Sequence, residues 1–325
     1  MQNHDSTCPV SRRIVLLMTL TPCGSGASLL SSSGRNATSS THLVRPDGPF
    51  SLGASRSSVM RWAPVARYGH DDGPLVLGAI ADDDLAPLAI TATQERPDGP
   101  VTVTTTGTGS PERALAQAGR ILSLDHSGAG LSDVAERDPA VGTVLAAHPG
   151  RRPVLFPSVY EAAAWAVISP RIGKARAATL TRRLAAEHGT RLAGVDCFPT
   201  PTTLLGLEGI PGLADEKVRR LHGVARAALD GDLDVDRLRA LGPVGARAAL
   251  RRVRGIGEFW SSGVWLRACG VVDEWPDEPL ATAALARLHG RDPADYADPA
   301  VLAAATAPLA PYRMWIAFLL RITNA

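Results

Sequence analysis

The chain has 325 residues, 45% hydrophobic and 5% aromatic, with 34 Lys and Arg against 32 Asp and Glu for a net charge of +2. This length and composition suit two domains with cores of their own and exclude a chain disordered throughout. No apolar run is long enough to span a membrane. The four cysteines (Cys8, Cys23, Cys197, Cys269) show neither metal-ligand spacing nor a disulfide framework, so no metal is expected and a reducing cytoplasm is.

Residues 1–45 are rich in Ser, Thr, Gly and Asn, lack sustained periodicity, and read as a disordered leader. Within them Arg12–Leu20 has the outline of a signal peptide. Its apolar core is short, and Pro22 before Cys23 makes a poor processing site, so export is not expected. From 46 to 130 a small α+β domain is expected. Leu75–Ile80, Leu88–Thr93 and Val101–Thr106 read as strands punctuated by Asp71-Asp72-Gly73-Pro74 and Arg96-Pro97-Asp98-Gly99-Pro100, which implies an antiparallel sheet. Ser110-Pro111 then caps a helix whose apolar face (Leu115, Ala118, Ile121, Leu122) suits it to cover that sheet.

Residues 131–325 read as helical. Helices are expected at Tyr160–Val167, Ala175–Glu187, from Thr200, Asp215–Ala228, Val235–Ala240, Val244–Val253, Phe259–Cys269, Pro279–Leu288 and Pro308–Ile322. Strands first and helices afterwards make the chain α+β, with a helical C-terminal domain. Arg171, Lys174, Arg176, Arg182, Arg183 and Arg191 face a single acid, Glu187, over residues 171–191. Arg247, Arg251, Arg252 and Arg254 face none over 247–254. Such clusters suit either a phosphate-binding face or a solvated helix surface.

The most informative segment is Arg254-Gly255-Ile256-Gly257-Glu258-Phe259-Trp260. Two glycines let the backbone turn tightly, and the following helix start aims free amides the same way, which suits a DNA phosphate. Ile256 is placed to anchor the bend in the core; an ordinary helix–helix turn is the plain alternative.

Several segments in order carry a resemblance: Pro149–Pro153 leading into Tyr160–Ser169, Cys197–Thr202, Gly212–Gly231, the glycine hairpin, Val272–Leu280 and Pro311–Trp315. Together they resemble the helix-hairpin-helix DNA glycosylase superfamily, in its 3-methyladenine DNA glycosylase II (AlkA-like) branch, closely over residues 140–325 and loosely over 46–130. The resemblance implies an all-α two-lobed glycosylase domain after the sheet subdomain. It implies a monomer that binds double-stranded DNA in the cytoplasm at the nucleoid, needs no cofactor, and flips the damaged base out of the stack.

In that family an aspartate about twenty residues past the last hairpin glycine stabilises the oxocarbenium-like sugar by its charge. Here Asp277 and Glu278 stand twenty and twenty-one residues past Gly257. One alignment puts Glu278 in the catalytic place, another puts Pro279 there, and Asp277 is the neighbouring choice; all these acids, with Asp273, could equally be a solvated loop capping the next helix. The lysine nucleophile of lyase-active relatives corresponds to Phe259, which implies a monofunctional enzyme. Phe259 and Trp260 then become base-stacking candidates, with core packing the alternative for Phe259. Arg171 maps to the wedge that fills the gap left by the flipped base, and Arg321 to an aromatic pocket residue. Trp165, Trp265 and Trp315 read as core. The activity implied is removal of alkylated purines; the rival reading is an inactive, lesion-sensing DNA-binding module.

Overall fold

The computed structural model describes residues 36–60 and 73–323. Cys8, Cys23, the Arg12–Leu20 run, Asp71 and Asp72 lie outside these. The N-terminal sheet is built from β1 (Thr38–Val44), followed by α1 (Leu52–Met60), then β2 (Leu75–Ile80), β3 (Pro87–Gln94) and β4 (Val101–Gly107). Its order is β1-β4-β3-β2, antiparallel throughout. In β4 the alternation is direct: Val101, Val103 and Thr105 point into the core and the residues between them do not. The turn expected at Arg96–Pro100 is present; the Gly99 amide donates to the Arg96 carbonyl.

β1 lies within the stretch read as a disordered leader, and that reading gives way over Thr38–Val44. Apolar periodicity could not reveal this strand, because it is held by hydroxyls. Ser39 pairs with Thr106 at 2.7 Å, Ser40 with Thr105 at 3.0 Å and Thr41 with Thr104 at 2.9 Å. The helix α2 (Pro111–Ile121) is capped by Ser110, whose side chain accepts from the Arg113 amide. Leu115, Ala118 and Ile121 on it share one apolar cluster with Leu75, Leu77, Ile90, Val101 and Val103 of the sheet.

The remaining helices are α3 (Leu131–Arg137), α4 (Pro139–Ala147), α5 (Val159–Ile168), α6 (Lys174–His188), α7 (Pro201–Leu205), α8 (Asp215–Leu229), α9 (Val235–Arg251), α10 (Glu258–Ala268), α11 (Pro279–Leu288), α12 (Pro299–Thr306) and α13 (Arg313–Thr323). Every residue of α5 is buried. Apart from Glu161 it is apolar all round, because α6, α8, α10 and β2 surround it. Gly242, at φ +67° and ψ 179°, breaks α9 ahead of Pro243, where two helices were expected.

Two expectations are corrected. The helical half is not all-α: β5 (Arg191–Leu192) and β6 (Val195–Asp196) form a hairpin after α6. Ala193 and Gly194 both take positive φ, as a tight two-residue turn needs. This hairpin lies against the sheet, so closely that a Cβ on Gly78 would stand 2.6 Å from the Asp196 carbonyl oxygen. The last helix starts at Arg313 instead of Pro308, because Pro311 cannot donate to a helical ladder; a short 3-10 turn (Ala307–Leu309) precedes it.

Two buried arginines join sheet and helices. Arg152 donates to the carbonyls of Asp47, Pro49, Ser123 and His126, and its guanidinium lies 5.6 Å from the Phe50 ring centre and 5.0 Å from that of Trp315. Burial pulls its pKa down to about 10. Arg120 donates to the carbonyls of Phe156, Pro157 and Ala268 and pairs with Asp82 at 2.6 Å. Burial pushes the Asp82 carboxyl up despite that pairing. Arg239 donates to the Cys269 carbonyl, so two cations meet the carbonyl end of α10.

Candidate active site and nucleic-acid interface

The glycine hairpin joins α9 to α10. Val253 and Ile256 are buried, while Arg254 and Gly257 are exposed. The bend closes through the Ile256 amide on the Val253 carbonyl at 3.0 Å, with Gly255 at φ +104°. A Cβ there would meet Arg220 Cδ at 3.0 Å and Val167 Cγ2 at 3.2 Å, tight contacts at a positive φ that favours glycine. Gly257 caps α10 without a side chain to satisfy its first turn. The amides of Arg254, Gly255 and Gly257 donate to no group among the described residues. The first-turn amides of α10, which have no acceptor within a helix, follow directly in the chain.

The arginines around the bend are less free than the linear sequence implies. Arg247 pairs with Glu274, Arg251 with Glu258, and Arg254 with Glu216 at 3.1 Å. Glu216 also takes Arg219 and Arg220, and their hydrogen bonds hold its carboxyl below the usual range. Arg252 is exposed and enters no ion pair among the described residues. The acid-free cluster read over residues 247–254 is therefore corrected: three of its cations take acids from elsewhere in the chain.

Arg171 stands in the loop between α5 and α6, exposed and at φ +61°, where a non-glycine residue is strained. Lys217 on α8 holds that loop. Its Nζ donates to the carbonyls of Ile168 at 2.6 Å and Pro170 at 2.8 Å. Burial, then the like charges of Arg220 and Arg171, lower its pKa. Arg220 therefore lies between the two features, against Gly255 on one side and near the Lys217 tether on the other. Lys174 and Arg176 follow at the exposed start of α6.

The acidic segment sorts itself by partner. Asp273 pairs with Arg313 at 2.8 Å. Glu274 is occupied by Arg247 and by the Trp265 indole at 2.8 Å. Asp277 is exposed and enters no ion pair among the described residues. Glu278 sits at the N-cap of α11, yet its side chain caps nothing. Its Oε1 instead meets Arg321 Nη1 of α13 at 2.6 Å, both side chains partly buried at 23% and 31% exposure. Pro279, the first residue of α11, offers no charge. Arg267 of α10 is coupled to the pair by charge. Its own burial and the like charge of Arg321 bring its pKa down to about 10, with Glu278 acting the other way.

Phe259 is 59% exposed, so it is not a core residue. It makes an edge contact with the half-buried Trp260, ring centres 5.4 Å apart. Trp165, Trp265 and Trp315 are core. The structure thus brings Glu278 and Arg321 together, and separately gathers the hairpin, Arg220, Lys217 and the Arg171 loop. Sequence reasoning missed Lys217, Glu216, Arg220 and Arg267 as site residues. Two signals were available: Lys217 is one of only two lysines in the chain, and Arg267 is a lone charge in the run Val264–Cys269.

No protein-family model and no curated protein matches the chain. Solved structures do. The chain is 20% identical to 3-methyladenine DNA-glycosylase from Archaeoglobus fulgidus, with a TM-score of 0.68, covering 87% of this chain and 97% of that one. It is 15% identical to MBOgg1, solved with a low-affinity DNA ligand, at a TM-score of 0.63, covering 91% and 98%. It is 14% identical to the 8-oxoguanine glycosylase/lyase of Clostridium acetobutylicum, at a TM-score of 0.60, covering 89% and 99%. The likeness is one of fold: this chain shares the fold of the solved 3-methyladenine DNA-glycosylase and 8-oxoguanine glycosylase/lyase.

Proposed function

We propose that the protein is a monofunctional DNA glycosylase that flips an alkylated purine out of double-stranded DNA and hydrolyses its N-glycosidic bond, working as a monomer on the nucleoid in the cytoplasm. The observation that carries this reading is the hairpin: amides of Arg254, Gly255 and Gly257 with no acceptor among the described residues, on exposed backbone anchored by Ile256. That arrangement accepts a backbone phosphate without any side chain. Arg252 and Lys174 add charge, and Arg171 is the side chain offered to the duplex where the nucleotide leaves.

In this reading the Glu278 carboxylate opposes the positive charge that develops on the sugar as the C1′–N bond breaks, and orients the attacking water. Phe259 offers its exposed ring to the flipped base. A lyase step needs an amine nucleophile. Phe259 supplies none, and of the two lysines Lys217 is committed to the loop carbonyls. Water is the only co-reactant, so no cofactor is invoked.

The test is base release from methylated duplex DNA. Wild type is expected to release base without cutting the strand. Glu278→Gln should lower the rate by about 100-fold or more while leaving duplex affinity within a few fold, and Asp277→Asn should stay near wild type. Loss of release in Asp277→Asn alone would move the catalytic role to that residue. Duplex binding with no release by wild type would leave a lesion-sensing module.

A further inference from the structure

The carboxylate proposed to face the sugar is not alone. Arg321 touches it at 2.6 Å, both side chains partly buried. A carboxylate that approaches C1′ brings its bound guanidinium to within a few ångströms of the departing base, since the base is attached to C1′ itself. Resting on the excision reading, we propose that Arg321 makes this site select neutral damaged purines over cationic ones.

The physical reason is the sign of the charge on the base. A ring-methylated purine such as 7-methylguanine carries a positive charge in DNA. It departs as a neutral molecule and needs no help, and a guanidinium beside it opposes its charge. A neutral adduct such as 1,N6-ethenoadenine departs as an anion. When its C1′–N9 bond breaks, the electron pair goes to the purine ring, water adds to C1′, and the proton lost from that water ends on the base. A guanidinium donating to a ring nitrogen or carbonyl stabilises that anion as it forms. Glu278 and Arg321 then serve the two halves of one bond cleavage, the acid facing the sugar and the arginine facing the base. Arg321 is a specificity-determining residue in this scheme.

Single-turnover release is measured from two duplexes, one carrying 1,N6-ethenoadenine and one 7-methylguanine, each corrected for its uncatalysed rate. Wild type is expected to favour the neutral adduct by about tenfold or more. Arg321→Gln should lower release of the neutral adduct by ~10- to 100-fold and leave or raise that of the cation, whereas Arg321→Lys, which keeps the charge, should retain the wild-type order. A wild type that favours the cationic base overturns the proposal, and so does an unchanged ratio in Arg321→Gln; both leave the excision reading standing. Release of neither base retires that reading and this inference together. If Arg321→Gln fails to fold, the wild-type ratio decides.

Discussion

Gly255 turns the hairpin directly against Val167, the side chain of which would stand 3.2 Å from any Cβ placed there. The neighbour is a residue of α5, the fully buried helix against which α6, α8 and α10 pack. The bend proposed to meet a phosphate is therefore set by the core, not by the loop alone. Gly255→Ala adds a methyl between Val167 and Arg220 and strains a backbone at φ +104°. It is expected to cost about 1–3 kcal/mol of stability and to weaken duplex binding. Gly257 has extended backbone and open space at its Cβ position. Gly257→Ala should thus leave stability within about 0.5 kcal/mol and act only on binding. Denaturant melts and anisotropy titrations of both variants check this. Equal stability losses would show that the two glycines do the same job.

Lys217 and Arg171 form a second pair with a measurable link. The Lys217 tether to the Ile168 and Pro170 carbonyls keeps the loop in the shape that presents Arg171. Lys217→Met keeps the apolar stem and removes both bonds. Hydrogen bonds from a charged donor are worth about 1.5–3 kcal/mol each, and part of that shows as a loss of about tenfold in duplex affinity. The effect should disappear in an Arg171→Gln background. A double-mutant cycle on binding reads the coupling directly, and additive losses would sever the link.

Arg152 predicts a stability effect with no site beside it. It is fully buried and gathers four carbonyls from the segments at Asp47–Pro49 and Ser123–His126. Arg152→Met fills much of the space but leaves those acceptors unpaired in the interior. A loss of about 3–5 kcal/mol is expected, visible as a lower urea midpoint. Gly128→Ala attacks the same place from outside, since its Cβ would lie 2.5 Å from Arg152 Nη2. A variant at Arg152 that melts like wild type would mean that the carbonyls find water instead.

Much was legible in the chain before any tertiary contact was considered. Helix starts at Ser110, Thr200 and Pro279, the turn at Arg96–Pro100 and the Gly255-Ile256-Gly257 bend are local events. A capping hydroxyl, an N1 proline or a positive-φ glycine acts within a few residues, so spacing alone reveals it. β1 was not legible, because hydroxyl pairs with a strand more than sixty residues away hold it. Nor was the state of the charges. Glu278 and Arg321 are 43 residues apart, Arg247 and Glu274 are 27, and Arg254 and Glu216 are 38. Coulomb attraction acts through space and leaves no periodic trace in the chain. The sequence by itself determined where the amide donors and the acids lie along the chain. Only the packing of α8, α9, α11 and α13 decided which cations those acids hold.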